Sequence, residues 1–180
     1  AAAALRNARD LELTRRARES EDRMQEVTAA ISSELNLKPL LEKIMQAVTM
    51  ILDADRATLF LHDEKTNELW SQVALGLDDQ EIRFLAHLGI AGKVFTSGET
   101  INIPDAYADP RFNKEIDRKT GYRTKNILCM PVVNRTGKTI GVTQVLNRRV
   151  GVFTRVDEKK LKTFSAQAAI AIENAKLFDE

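Results

Sequence analysis

Few side chains in this sequence have the type and setting that covalent chemistry demands. The single cysteine, Cys129, sits in the stretch NILCMP at 126–131. A reactive thiolate needs an accessible, electropositive environment. Cys129 has Leu128 and Met130 beside it in an apolar run, so it reads as a wall residue. His62 and His87 have no third ligand spaced to join them in a zinc site. The Gly92-Lys93 pair lacks the upstream glycine and the following Ser or Thr of a Walker loop. No G-x-S-x-G elbow is present. Carboxylates are numerous but scattered, with no pair marked out for acid–base work. This stretch of chain is therefore not read as an enzyme.

Binding remains. The block DRKTGYRT holds Asp117, Thr120 and Thr124, small polar groups suited to hydrogen bonding a compact polar ligand. Gly121 lets the backbone turn sharply between the two threonines. If 114–124 is partly helical, its N–H groups and hydroxyls can hold an anion such as phosphate. On composition alone the same block also reads as a solvated surface loop.

Composition sets the frame for these residues. The 180 residues are 43% hydrophobic and 29% charged, as in a globular domain with helical extensions. Basic residues number 27 against 26 acidic ones, a net charge of +1, which gives no general reason to expect nucleic acid or an anionic membrane as partner. One cysteine makes no internal disulfide and fits a reducing, cytoplasmic setting. No apolar run has the length of a membrane span. The start AAAALRNARD lacks the order of a secretory signal.

The elements that must position DRKTGYRT follow from periodicity. Residues 5–35 contain Met24, Val27, Ile31 and Leu35 at spacings of three and four, a connecting or dimerising helix over 1–35. A second helix is expected over 37–52, with Pro39 in its first turn and Leu40, Leu41, Ile44, Val48 and Ile51 as its apolar face. ATLFLH at 57–62 and ELWSQVAL at 68–75 read as a hairpin around DEKTN. GIAGKVF opens a short helix at 89, and INIP at 101–104 is a short strand. The polar segment 105–124 is long enough to be functional. Strands at 127–133 and 139–147 flank RTGK, and a helix over about 154–178 closes the chain. Its Leu161, Phe164, Ala168, Ala171, Ala175 and Phe178 form a seam for a partner helix, from this chain or from a second copy. Hairpin strands with helices at both chain ends predict an α+β fold. The antiparallel sheet carries those helices on one face and a cavity under the long segments on the other.

Three blocks carry a family resemblance. They are GIAGKVFTSGETINIPDAYADPRFN, then DRKTGYRTKNILCMPV, then Asn147-Arg148 with Phe153 and Asp157-Glu158 following. In this order they resemble a cyclic-nucleotide-binding GAF domain over 36–178, similar to those of mammalian phosphodiesterases and cyanobacterial adenylate cyclases. Arg148 stands where the family has Lys, and it can make the family's bracing pair with Asp157. The resemblance implies a sheet of about six strands and a closed nucleotide pocket. It implies backbone contacts from Ile90 and Ala91 near phosphate and sugar, and a covering helix beginning at Phe112 and Asn113. Asp117, Thr120 and Thr124 are then the ribose and phosphate contacts, and Gln144, in the fifth expected strand, reaches a sugar hydroxyl or water. Arg56 and Thr58 point at the base, and Ala74 and Leu75 line its pocket.

Thr58 can accept from the adenine N6 amino group, while Arg56 can donate to N1 of adenine or O6 of guanine. The likeness to cyclase domains favours cAMP, with cGMP as the alternative. It makes the linked output domain an adenylate cyclase, or alternatively a phosphodiesterase, in a homodimer joined through the terminal helices. Two other GAF roles are a ligand-free dimerisation module and a bilin carrier, the latter needing an exposed cysteine. The setting of Cys129 argues against a bilin. The purified chain is expected to show no absorbance in visible light, and a visible band would reverse that reading.

Overall fold

The computed structural model describes residues 37–75 and 81–179. The helix expected over 5–35 lies outside them. Helix α1 covers 37–51. The β-branched run ATLFLH becomes the middle of β1 (Ala54–Asp63), which a turn joins to β2 (Glu68–Leu75). Then come β3 (Arg83–Leu85), α2 (Gly89–Ser97), β4 (Ile101–Ile103) and a 3-10 turn at Ala106–Ala108. Helix α3 (Glu115–Thr120), β5 (Ile127–Val133), β6 (Thr139–Arg148) and α4 (Arg155–Asp179) complete the chain. The strands form one sheet in the order β3-β2-β1-β6-β5-β4, and every neighbouring pair is antiparallel. Periodicity alone gives five of these strands. The sixth, β3, is three residues long, too short to show an alternation.

Alternation along the strands divides the core in two. Leu59, Leu128 and Val145 face Leu41, Met45 and Val48 of α1 and Leu161, Ala168 and Ile172 of α4. Phe60, Ile127, Cys129 and Val142 point the other way, towards Ile90 and Val94 of α2. The buried stripe of α1 is Leu41, Met45, Val48 and Leu52, while Leu40 and Ile51 of the expected face are exposed. Of the α4 seam, Leu161, Phe164, Ala168 and Ala171 pack into the helix-side core of the same chain. Buried Ala169 and Ile172 widen that seam into a face broad enough for a sheet.

Two local devices set where the cavity side begins. The first is a bulge. Leu59 pairs with Val73 but Phe60 pairs with Ser71, so β2 gains one residue between them and its faces exchange. Val73 and Leu75 therefore join the helix-side core. The second is the N-terminal cap of α4. The Thr154 N–H donates to Asp157 Oδ2 at 2.8 Å, and the Asp157 N–H to Thr154 Oγ1 at 3.3 Å, a reciprocal capping box. The same Asp157 oxygen takes Arg148 Nε at 3.0 Å, tying the end of β6 to the start of α4. That pair uses one guanidinium nitrogen; another donates to the Val150 carbonyl.

Gly141 of β6 shows how close the central strands lie. A Cβ added there would sit 2.3 Å from the Phe60 carbonyl oxygen. Gly141→Ala is expected to cost about 1–3 kcal/mol of folding stability through forced strand displacement, read as a lower urea midpoint at unchanged slope.

Candidate functional site

A cavity of about 470 Å³ lies between the sheet and the segments covering its second face. This is the size of a small-molecule site. Period-two alternation supplies the floor: Arg56, Thr58 and Phe60 from β1, Gln144 and Leu146 from β6, and Ile127 from β5. Thr58 and Gln144 are direct partners in the β1–β6 register. Ile90 and Ala91 in the first turn of α2 form one wall, and Phe112, Asn113, Asp117, Thr120 and Thr124 form the cover. Of the expected site residues, Ala74 and Leu75 do not line this cavity. Leu75 packs towards α1 and α4 because the bulge has exchanged the faces of β2. Ala74 sits opposite Thr58 but is too short to reach in.

The wall made by α2 offers donors. Its N-cap, Leu88, has no side chain to satisfy the first-turn N–H groups. These groups and the helix dipole favour an anion. Gly92 allows that turn to form: a Cβ there would lie 2.5 Å from the carbonyl carbon of His87.

The cover is held by Asp117. This buried carboxylate accepts the Thr124 N–H on Oδ2 and the Thr124 hydroxyl on Oδ1, both at 2.8 Å, and the Tyr107 hydroxyl on Oδ2 at 2.7 Å. The bond to Asp117 raises the Tyr107 phenol above its usual range, with desolvation adding to it. The guanidinium of Arg123 lies 4.2 Å from the Tyr107 ring centre. Helix α3 ends at Gly121, whose φ of 76° is the left-handed conformation that favours glycine. Asp117 thus acts first as a latch on α3 and only secondarily as an acceptor turned to the cavity. The Thr124 hydroxyl gives its hydrogen to the latch and keeps its lone pairs.

Sequence reasoning missed Tyr122. It lines the cavity, donates its hydroxyl to Asp55 Oδ2 at 2.7 Å, and accepts from Asn147 Nδ2 at 2.8 Å. Burial, reinforced by the Asp55 bond, pushes that hydroxyl's pKa up. The Arg56 guanidinium lies 3.6 Å above the ring centre. The available signal was an aromatic residue between Thr120 and Thr124 in an otherwise polar block. Ile82 and Phe84, which also line the cavity, lie in no recognisable motif.

The Asn147 to Glu158 residues stay outside the cavity and brace it. Asn147 holds the loop before β5. Phe153 is buried in the helix-side core, and its carbonyl accepts from Asn102 Nδ2 at 3.0 Å, as does Glu158. Cys129 is fully buried beneath the floor, and desolvation drives its thiol pKa far up, as the wall-residue reading requires. His62 bonds Asn67 and stacks on Phe95. Among the described residues no His, Cys, Asp or Glu cluster could hold a metal ion, and no helix is long and apolar enough to cross a membrane.

Comparison with known proteins agrees with this geometry. The chain is 41% identical over 158 residues to the probable 3',5'-cyclic phosphodiesterase pde-5 of Caenorhabditis elegans, covering 81% of this chain and 22% of that protein. It is 40% identical over 172 residues to the dual 3',5'-cyclic-AMP and -GMP phosphodiesterase 11 of Drosophila melanogaster, covering 86% and 12%. The chain thus spans less than a quarter of the length of these relatives. The fold matches the GAF domain of a phosphoenolpyruvate-protein phosphotransferase from Coxiella burnetii, with a TM-score of 0.73 at 22% identity over 86% of this chain and 92% of that one. The GAF domain family model matches residues 36–172. With the six-stranded sheet and the covered cavity, this match places the chain in the GAF domain family.

Proposed function

We propose that this chain is a regulatory domain that binds a 3',5'-cyclic nucleotide and controls a linked phosphodiesterase. One observation carries the reading: all the expected ligand contacts except Ala74 and Leu75 line a single covered cavity. The cyclic phosphate lies against the uncapped first turn of α2 at Ile90 and Ala91. Ribose hydroxyls meet Thr120, Thr124 and Gln144. The base lies towards Arg56 and Thr58, and cAMP is the ligand expected from the sequence, with Thr58 accepting from N6. A phosphodiesterase output has more support than the adenylate cyclase expected from the sequence, since the relatives at 40% and 41% identity are phosphodiesterases.

Ligand uptake favours the state in which the Asp117 latch is closed, and the cover biases how α1 and α4 pack. The shift is no larger than the ligand's differential affinity for the two states. Homodimerisation would use the outer side of the helix layer, where Leu40, Ile51 and Ile170 are exposed. Sedimentation equilibrium should then return a dimer, and a monomer at high micromolar concentration would exclude that arrangement.

Calorimetric titration of the chain with cAMP and with cGMP tests the site. Thr124→Ala removes a hydroxyl bonded to a carboxylate, and affinity should fall about tenfold or more. Thr124→Ser should stay close to wild type. Undiminished affinity in the alanine variant would remove Thr124 from the site. Uptake of neither nucleotide by wild type would overturn the function.

A further inference from the structure

Arg56 is a cation on the floor of the cavity, and its surroundings are unusual. It is half-buried, yet no side-chain hydrogen bond or ion pair ties it to another described residue. Its one close partner is the Tyr122 ring, with the guanidinium carbon 3.6 Å from the centre. At that distance the guanidinium carbon sits over the ring face, which leaves the N–H edges clear of the ring. The adjacent residue in β1 is the carboxylate Asp55, which makes no ion pair with Arg56. It is instead taken at 2.7 Å by the hydroxyl of that same tyrosine. Asn147 Nδ2, donating to the hydroxyl at 2.8 Å, completes the fixing of the ring.

We infer that Tyr122 is a positioning residue for nucleobase selection: its ring holds Arg56 as an unpaired donor fork facing the cavity, and its hydroxyl keeps Asp55 from neutralising that fork. The inference rests on the cyclic-nucleotide reading above. A donor-only fork distinguishes the bases. Guanine presents two adjacent acceptors, O6 and N7, which a guanidinium can take together. Adenine presents N7 beside an N6 amino donor, which opposes a second N–H. Whichever nucleotide binds more tightly overall, the fork shifts the balance towards guanine. Tyr122 lies in the cover and Arg56 in the floor, so base reading and cover placement depend on one side chain.

The test is the ratio of cAMP to cGMP dissociation constants, measured by calorimetry on the chain with thermal unfolding as the check on folding. Arg56→Met should move the ratio against cGMP at least about fivefold. Tyr122→Phe keeps the ring and loses the hydroxyl, and should move the ratio the same way by about threefold or more. In an Asp55→Asn background, Tyr122→Phe should leave the ratio within about twofold of that background. An unmoved ratio in Arg56→Met, or in Tyr122→Phe, overturns the inference while leaving nucleotide binding intact. An undiminished effect of Tyr122→Phe in the Asp55→Asn background overturns the shielding role of the hydroxyl. Wild type that binds neither nucleotide overturns the binding reading itself.

Discussion

The clasp between Asn126 and Asn147 is the interaction on which the rest of the site depends. Asn147, next to last in β6, has φ of 58°, a left-handed conformation that asparagine tolerates better than most residues. From there its amide oxygen accepts the N–H groups of Lys125 and Asn126, at 2.6 and 3.3 Å. Its amide nitrogen donates to the Arg123 carbonyl and the Tyr122 hydroxyl, both at 2.8 Å. Asn126 answers from just before β5: its side-chain oxygen accepts the Arg148 N–H at 2.8 Å, its carbonyl accepts the Asn147 N–H at 2.9 Å, and its amide nitrogen reaches the Gly151 carbonyl. Asn126 is buried, and leaving its side-chain amide unpaired would cost more than a surface bond gains. The loop between α3 and β5 is therefore fixed in its last residues, and it can present Thr124 and Tyr122 at defined places.

That anchoring explains how a polar segment can cover a cavity without losing its shape. The clasp holds the end of the segment at Arg123 to Asn126. Asp117 holds its middle by drawing Thr124 and Tyr107 onto one carboxylate. Arg148 and Asp157 secure the far side, where the same aspartate also caps α4. The path from cover to terminal helix is thus short and made of hydrogen bonds: Tyr122 to Asn147, then Arg148 to Asp157 through consecutive residues. A change in the cover has a physical route to α4.

Much of this was legible because periodicity is a local property. The β1, β2, β5 and β6 strands, α2 and α4 show themselves through repeating apolar positions, and the Asn147 to Glu158 spacing marks the brace. The short β3 was not legible, since three residues carry no period. Leu75 was misplaced because the bulge opposite Leu59 and Phe60 inverts a pattern that looks uninterrupted in ELWSQVAL. The α4 seam looked like a partner contact because spacing reports an apolar stripe, not what covers it. In this structure the core of the same chain covers four of its residues, Leu161, Phe164, Ala168 and Ala171.

The sequence by itself determined which residue types gather at the cavity, since strand alternation and the DRKTGYRT block bring hydroxyls, the Asp117 carboxylate and the Arg56 guanidinium within a few elements of each other. Only the tertiary structure decided what each of them does. Asp117 became a latch because Thr124 and Tyr107 arrive from elsewhere to fill its oxygens. Arg56 carries no ion pair, and the ring that covers its face comes from Tyr122, 66 positions away by the numbering of the two residues. Hydrogen-bonding capacity is written in a side chain, but its remaining capacity depends on which neighbours have already taken a share, and those neighbours are set by the fold.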